Sequence, residues 1–221
     1  MSATGYSWDK YQGQDRVVSP SAERNKQPIL EELQKHLPTS GLVLEVASGT
    51  GQHITHFAAA LSSSGSSSSE LHWQPSDVTS ELFGSISAYV ADAQLKNVRP
   101  PLLLDASLPV GQWPVQEPCA AVMAANVTHI SPWRVTQGLV AGAGALLQPG
   151  GLLFIYGPFK IDGAFTSDSN RQFHESLTAS NPEWGYRDAA DVSKEAAAAG
   201  LALQQCVAMP ANNFALVFRK S

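Results

Sequence analysis

Short apolar runs alternate with segments of helical periodicity from residue 42 to residue 156, and that order leaves few architectures open. Leu42-Val43-Leu44-Glu45-Val46 is apolar enough for a buried parallel strand and leads directly into a turn of small residues, Ala47-Ser48-Gly49-Thr50-Gly51. Ile54, Phe57, Ala58 and Leu61 then recur at helical spacing. Further strand-like runs lie at 71–74, 102–104, 120–125 and 152–156, with helical patterns at 81–95 and 133–147 between them. This alternation predicts an α/β domain with a mostly parallel sheet covered on both faces.

The flanks add detail. A helix is expected over 24–37, with Ser21 or Asn25 as cap and Pro38 as stop, and another near 188–199. Leu201–Ala208 and Phe214–Arg219, joined by Met209-Pro210-Ala211-Asn212-Asn213, read as a terminal antiparallel hairpin. Residues 1–20, with Tyr6, Trp8 and Tyr11 among polar neighbours, read as a flexible leader, although an arm folding over a site is the other reading. The serine-rich stretch 62–69 reads as a surface insertion inside a single domain spanning 21–221.

A chain of 221 residues can bury its core without staples, and its net charge of -5 with only 15% charged residues argues against a nucleic-acid surface. Cys119 and Cys206 are far apart and match no zinc spacing, so no metal site is expected. No apolar run approaches the roughly 20 residues that cross a bilayer, which points to no membrane partner and a cytoplasmic location.

The chemistry concentrates at the predicted strand ends. Glu45 stands at the end of the first strand, and Gly49 and Gly51 follow in the turn, where glycine lets backbone approach a ligand. In open α/β sheets ligands sit beyond the carboxyl ends of the strands. A dinucleotide fingerprint would need a small residue at Ile54, so an acid followed by Gly-x-Gly better suits a ligand with an amino-acid end than a pyrophosphate. Asp77 follows the second strand, where it would accept two ribose hydroxyls, although it reads equally as a helix cap. Asp105 follows the third strand and could accept from an adenine amino group. Together these acids predict a nucleoside pocket.

Asn126 and His129 follow the fourth strand, and Tyr156 and Phe159 end the fifth. Asn126 suits the ligand's amino-acid end or a second substrate. His129 reads either as a general base or as a structural histidine, and the two aromatic rings either as a wall at the pocket mouth or as packing.

With these residues placed, the chain resembles the class I methyltransferases, and more narrowly the family that includes methyltransferase-like protein 26. The resemblance rests on Ala22–Leu30, Leu44–His53, Trp73–Asp77, Asn126–Trp133, Tyr156–Phe159, Asn181–Asp188 and Met209–Asn213, and runs from about Ala22 to the end. It implies a Rossmann-like class I methyltransferase fold, with a seven-stranded sheet and an antiparallel last strand. It also implies S-adenosyl-L-methionine as cofactor, in a pocket built from Glu45, Gly49, Gly51, Asp77 and Asp105; Arg24 and Asn25 precede the first strand in a segment that could fold over it, where Arg24 could pair with its carboxylate. Ala47 departs from the glycine usual there. Asn126, His129 and Tyr156 are the candidates for the acceptor side, and the acceptor itself is left open between a small molecule and a protein. The competing expectations are a non-catalytic S-adenosylmethionine-binding module and a nicotinamide-dependent oxidoreductase.

Overall fold

A computed structural model describes residues 15–61 and 70–221. The expected serine insertion at 62–69 and Tyr6, Trp8 and Tyr11 lie outside the described residues. The chain orders as α1 (Pro20–Leu33), β1 (Gly41–Val46), α2 (Gln52–Ala60), β2 (Leu71–Asp77), α3 (Phe83–Asp92), β3 (Leu102–Leu103) and β4 (Cys119–Ala125). It continues as α4 (Trp133–Leu146), β5 (Leu147–Gly157), β6 (Phe159–Lys160), α5 (Asp168–Ser180), β7 (Arg187–Asp188), α6 (Ala189–Ala198), β8 (Leu201–Met209) and β9 (Asn213–Lys220).

Seven strands form one sheet in the order β3-β2-β1-β4-β5-β9-β8. β1 to β5 pair in parallel, and β9 enters antiparallel between β5 and β8. The expected α/β sheet with a reversed last strand is therefore present. A separate pair, β6 with β7, carries α5 between its strands.

Alternation along the strands divides the core. Leu42, Leu44 and Val46 of β1 pack with Leu139, Val140 and Ala143 of α4 and with Val192 and Ala196 of α6. Val43 faces the other way, among Ile29 and Leu33 of α1 and Ile54 and Phe57 of α2. Central parallel strands covered on both sides are apolar throughout, which is why β1 and β4 read as continuous runs.

α1 begins earlier than expected. Ser19 is its cap, accepting from the Ala22 amide, and Pro20 occupies the first helical position, where its missing N–H costs nothing. The helix stops at Leu33, before Pro38, because short turns take over at Gln34–His36. Val17 is buried and donates its amide to the Ser85 hydroxyl at 2.9 Å, so the packed chain starts before residue 20.

Candidate functional site

The strand order reverses between β1 and β4, and a cavity of about 620 Å³ opens at their carboxyl ends. Its size suits a small ligand. The turn after β1 forms one lip. Ala47, Gly49 and Gly51 take φ values of 61°, 52° and 87°, so the chain coils tightly here. Ala47 pays for this conformation, since a left-handed residue with a Cβ costs roughly 1 kcal/mol. A Cβ on Gly49 would meet no atom within 4 Å, which places that position against open cavity space. Gly51 differs. A Cβ there would sit 2.8 Å from the Ile86 backbone, so this glycine lets α2 start against α3 and does not line the cavity.

β2 braces the turn. The Ser48 amide donates to the Ser76 carbonyl at 2.8 Å, and the Ser76 hydroxyl donates to the Glu45 carbonyl at 2.7 Å. Asp77 accepts from the Gly49 amide at 2.9 Å and from the Val78 amide at 2.8 Å, and burial raises its pKa. Asp77 thus ties two strand ends together while lining the cavity, and it does not cap α3, whose cap position is Leu82. Asp105 lines the same end, with one oxygen accepting from the Ser107 amide and hydroxyl at 2.8 and 2.7 Å.

Glu45 lies on the Val43 face of β1, 1% exposed, with one carboxylate oxygen lacking any partner. It is beneath the turn and not in the cavity lining. Burial pushes its pKa up to about 7, opposed by the Ser48 hydroxyl and helped by the Asp77 charge. A carboxyl whose folded pKa lies above its unfolded value stabilises the fold below the unfolded pKa, and that stability is lost as pH rises from about 4.5 to about 7. The Glu45→Gln variant should therefore match the unliganded wild type near pH 5 and exceed it at pH 8, by about 1–2 kcal/mol after relaxation is allowed for. Urea unfolding at the two pH values checks this, and a constant difference between the two proteins would contradict it.

The first turn of α1 lies over the cavity. Gln52 accepts from the Ser19 amide at 2.6 Å and donates to Glu23 at 2.9 Å, clasping α1 to the start of α2. Arg24 lines the cavity and forms no ion pair among the described residues. Asn25 turns away from the cavity. Its side-chain oxygen meets the His53 Nε2 at 2.7 Å, and its amide group meets the Tyr156 hydroxyl.

On the far side, Asn126 holds φ 59°, donates its amide to the Tyr156 carbonyl at 2.8 Å and lines the cavity with His129. His129 is 5% exposed, its Nδ1 has no hydrogen-bond partner, and burial with the nearby Arg187 charge pushes its pKa down to about 4. Of the two readings of Tyr156 and Phe159, a wall at the pocket mouth or packing, the structure shows packing. Strand alternation puts Tyr156 beside Phe154 under α1, 2% exposed, while Phe159 is fully buried on the opposite face. Phe173 of α5 and Tyr186 line the cavity in their place.

Arg24, Gly49, Asp77, Asp105, Asn126 and His129 thus share one cavity, whereas Asn25, Glu45, Gly51 and Tyr156 lie behind its lining. Sequence reasoning missed Ser19, His53, Asn170, Phe173 and Tyr186. Ser167 before Asp168-Ser169 was the available signal for α5, since its hydroxyl accepts the Asn170 amide as a cap. Among the described residues no group of three or more metal-ligating side chains is assembled, and no helix is long and apolar enough to cross a membrane.

The sheet order, the reversed β9 and a cavity at the strand ends define the class I methyltransferase fold. The chain belongs to the family described as "Protein of unknown function (DUF938)", whose model matches residues 16–220. Similar solved structures include an O-methyltransferase family protein from Burkholderia thailandensis, at TM-score 0.72 and 16% identity, covering 91% of this chain and 57% of that one. CalO1, a methyltransferase in calicheamicin biosynthesis in its SAH-bound form, aligns at TM-score 0.70 and 13% identity, covering 91% and 54%. An O-methyltransferase family 2 protein from Planctomyces limnophilus, in complex with apigenin, aligns at 0.70 and 16%, covering 91% and 60%. The chain spans less than two thirds of the length of these proteins.

Proposed function

We propose that this chain is an S-adenosylmethionine-dependent methyltransferase, of the kind that includes methyltransferase-like protein 26. The observation that carries the reading is one cavity in which Asp77 and Asp105, at adjacent strand ends, face a turn that leaves open space at Gly49. A nucleoside with an amino-acid tail matches that donor and acceptor set. The unpartnered Glu45 oxygen supports the same reading, because a cationic ligand nearby would favour its charged form.

In this reading Asp77 accepts both ribose hydroxyls and Asp105 accepts the adenine amino group. Arg24, free of any ion pair among the described residues, meets the ligand carboxylate, and Asn126 holds the amino-acid end. Bound S-adenosylmethionine supplies a methyl group already activated by its sulfonium. The protein's remaining tasks are to align the acceptor and exclude water.

Calorimetric titration of the full chain with S-adenosylmethionine, S-adenosylhomocysteine and NAD tests the proposal. Binding of the first two and not the third is expected, and the reverse preference would favour an oxidoreductase. Arg24→Ala should weaken S-adenosylmethionine binding about fivefold to tenfold, the worth of one exposed charge-assisted contact. Unchanged affinity in a folded variant would remove Arg24 from the site.

A further inference from the structure

The acceptor end of the cavity lies between the segment after β4 and helix α5. Its walls are Ile130, Pro158, Phe173 and Tyr186, and the His129 ring packs edge to face against Phe173 and Tyr186 at 6.0 and 6.1 Å. The two carboxylates that line the cavity, Asp77 and Asp105, both stand at its other end. Among the described residues, then, this end is walled by rings and contains no acid.

The charges around it are positive. Arg134 lines the cavity and pairs with the exposed Glu183 at 2.7 Å. Arg187 is half-buried and donates to the backbone carbonyls of Thr128 at 3.1 Å and of Ser131 and Glu183 at 2.7 Å each. All three partners are neutral, and Arg187 joins no ion pair among the described residues. The Glu183 carboxylate acts on Arg187 only from beyond contact and already serves Arg134. The other ionisable groups packed around Tyr186 do not offset it. Lys160 lies over Phe165, His174 accepts the Tyr186 amide on Nδ1 and has its pKa lowered by burial, Glu175 pairs with Arg171, and Asp188 caps α6.

His129 therefore sits near a cation that makes no carboxylate contact among the described residues, although Glu183 acts on it from a distance and Asp188, Asp191 and Glu195 share its groove along α6. A base works best with a pKa near the working pH, and this imidazole is far below that. An acceptor arriving as a neutral hydroxyl would find no carboxylate among the described residues at this end to take its proton.

We propose that the acceptor end takes a small aromatic molecule whose acceptor oxygen or sulfur is already anionic, held between Phe173 and Tyr186 in the field of Arg187, with His129 positioning it. The inference rests on the methyltransferase reading of the same cavity. In the transfer, a lone pair of the anion forms the new bond to the methyl carbon and the carbon–sulfur pair returns to the donor sulfur. Sulfonium and anion both become neutral, and no proton moves.

The test is spectroscopic and needs no turnover. 4-Nitrophenol and 4-nitrothiophenol are titrated against pH in the presence of the full chain, with and without saturating S-adenosylhomocysteine, and absorbance separates anion from neutral probe. Preference for the anion of about tenfold, a fall of about one unit in the apparent pKa of the bound probe, is expected with or without the nucleoside. A shift for one probe alone would identify the acceptor atom. Arg187→Met should abolish the preference and Arg187→Lys should retain most of it. Phe173→Ala should weaken probe binding severalfold, locating the probe at this end and not in the neighbouring groove along α6, which Arg187 lines and Phe173 does not. Preference for the neutral probe, or no binding by a protein that binds S-adenosylhomocysteine, would overturn the inference. Anion preference without any S-adenosylhomocysteine binding would instead sink the methyltransferase reading and leave the anion site standing.

Discussion

Replacing Asp77 with alanine is expected to weaken S-adenosylmethionine binding at least a hundredfold, the largest effect of any single change at the cofactor end. Two charge-assisted hydrogen bonds to ribose hydroxyls are worth about 3 kcal/mol together when the carboxylate is largely buried, and about 2.7 kcal/mol corresponds to a hundredfold in affinity. The carboxylate also accepts the Gly49 and Val78 amides, so its loss frees the turn that carries the cavity lip. Asp77→Asn separates the two contributions. An amide oxygen can still accept from Gly49, but the amide nitrogen then meets the Val78 N–H and one ribose hydroxyl donor against donor, and the charge is gone. The asparagine variant should therefore keep part of the turn's bracing, melting no lower than Asp77→Ala, and bind at least tenfold more weakly than the wild type. Calorimetry on both variants, with circular dichroism to confirm folding, decides the matter. Near-normal affinity in Asp77→Ala would move the nucleoside away from β2 altogether.

Gly138→Ala should be the most damaging substitution to stability. A methyl group there would overlap the Ala106 carbonyl oxygen, a backbone atom that cannot rotate away, and would also touch Ser107. α4 cannot retreat, because Leu139, Val140 and Ala143 beside it are packed in the core. Overpacking commonly costs about 1–3 kcal/mol, and a clash with backbone belongs at or above that range. A loss exceeding about 3 kcal/mol, and a fall of roughly 10 °C in Tm for a chain of this size, is expected. Gly84→Ala in α3 is the control, since a Cβ there meets nothing within 4 Å, and it should gain about 0.5–1 kcal/mol from helix propensity. Thermal melts of the pair test the packing directly, and equal melting temperatures would contradict the close approach of α4 to the segment after β3. Because that segment carries Asp105, weaker nucleoside binding should accompany the loss.

The cofactor end was legible because its residues follow directly from strand endings. Asp77 and Asp105 were placed by the runs before them, and Gly49 by its turn, so three strand ends in sequence sufficed to bring them together. Errors arose where facing mattered. Alternation correctly puts Leu152, Phe154 and Tyr156 on one side of β5, but which side meets the cavity depends on where α1 packs, and α1 covers that side. Gly51 was misjudged for a similar reason, since its need for a bare Cα comes from Ile86, a partner distant in sequence. Helix α5 escaped notice because Phe173 and Leu177 are its only large apolar residues, and the Phe173 ring is spent on the cavity instead of the core.

The wall proposed for the acceptor and the site proposed for the nucleoside are attached to the molecule in different ways. Asp77, Asp105 and Gly49 are continuous with the seven-stranded sheet, whereas Phe173 and Asn170 belong to a helix carried between the strands of the separate β6–β7 pair. That helix reaches the main body through the Asn170 amide, which donates to the Asn212 carbonyl at 3.0 Å in the β8–β9 turn, and through the small cluster of Leu177, Trp184 and Tyr186. Substitutions on it can reshape what the cavity accepts without disturbing a single ladder bond of the sheet. Under the proposed function, relatives sharing the strand-end acids are free to diverge in the acceptor they take, and a library confined to residues 165–180 is expected to change selectivity while leaving nucleoside affinity intact.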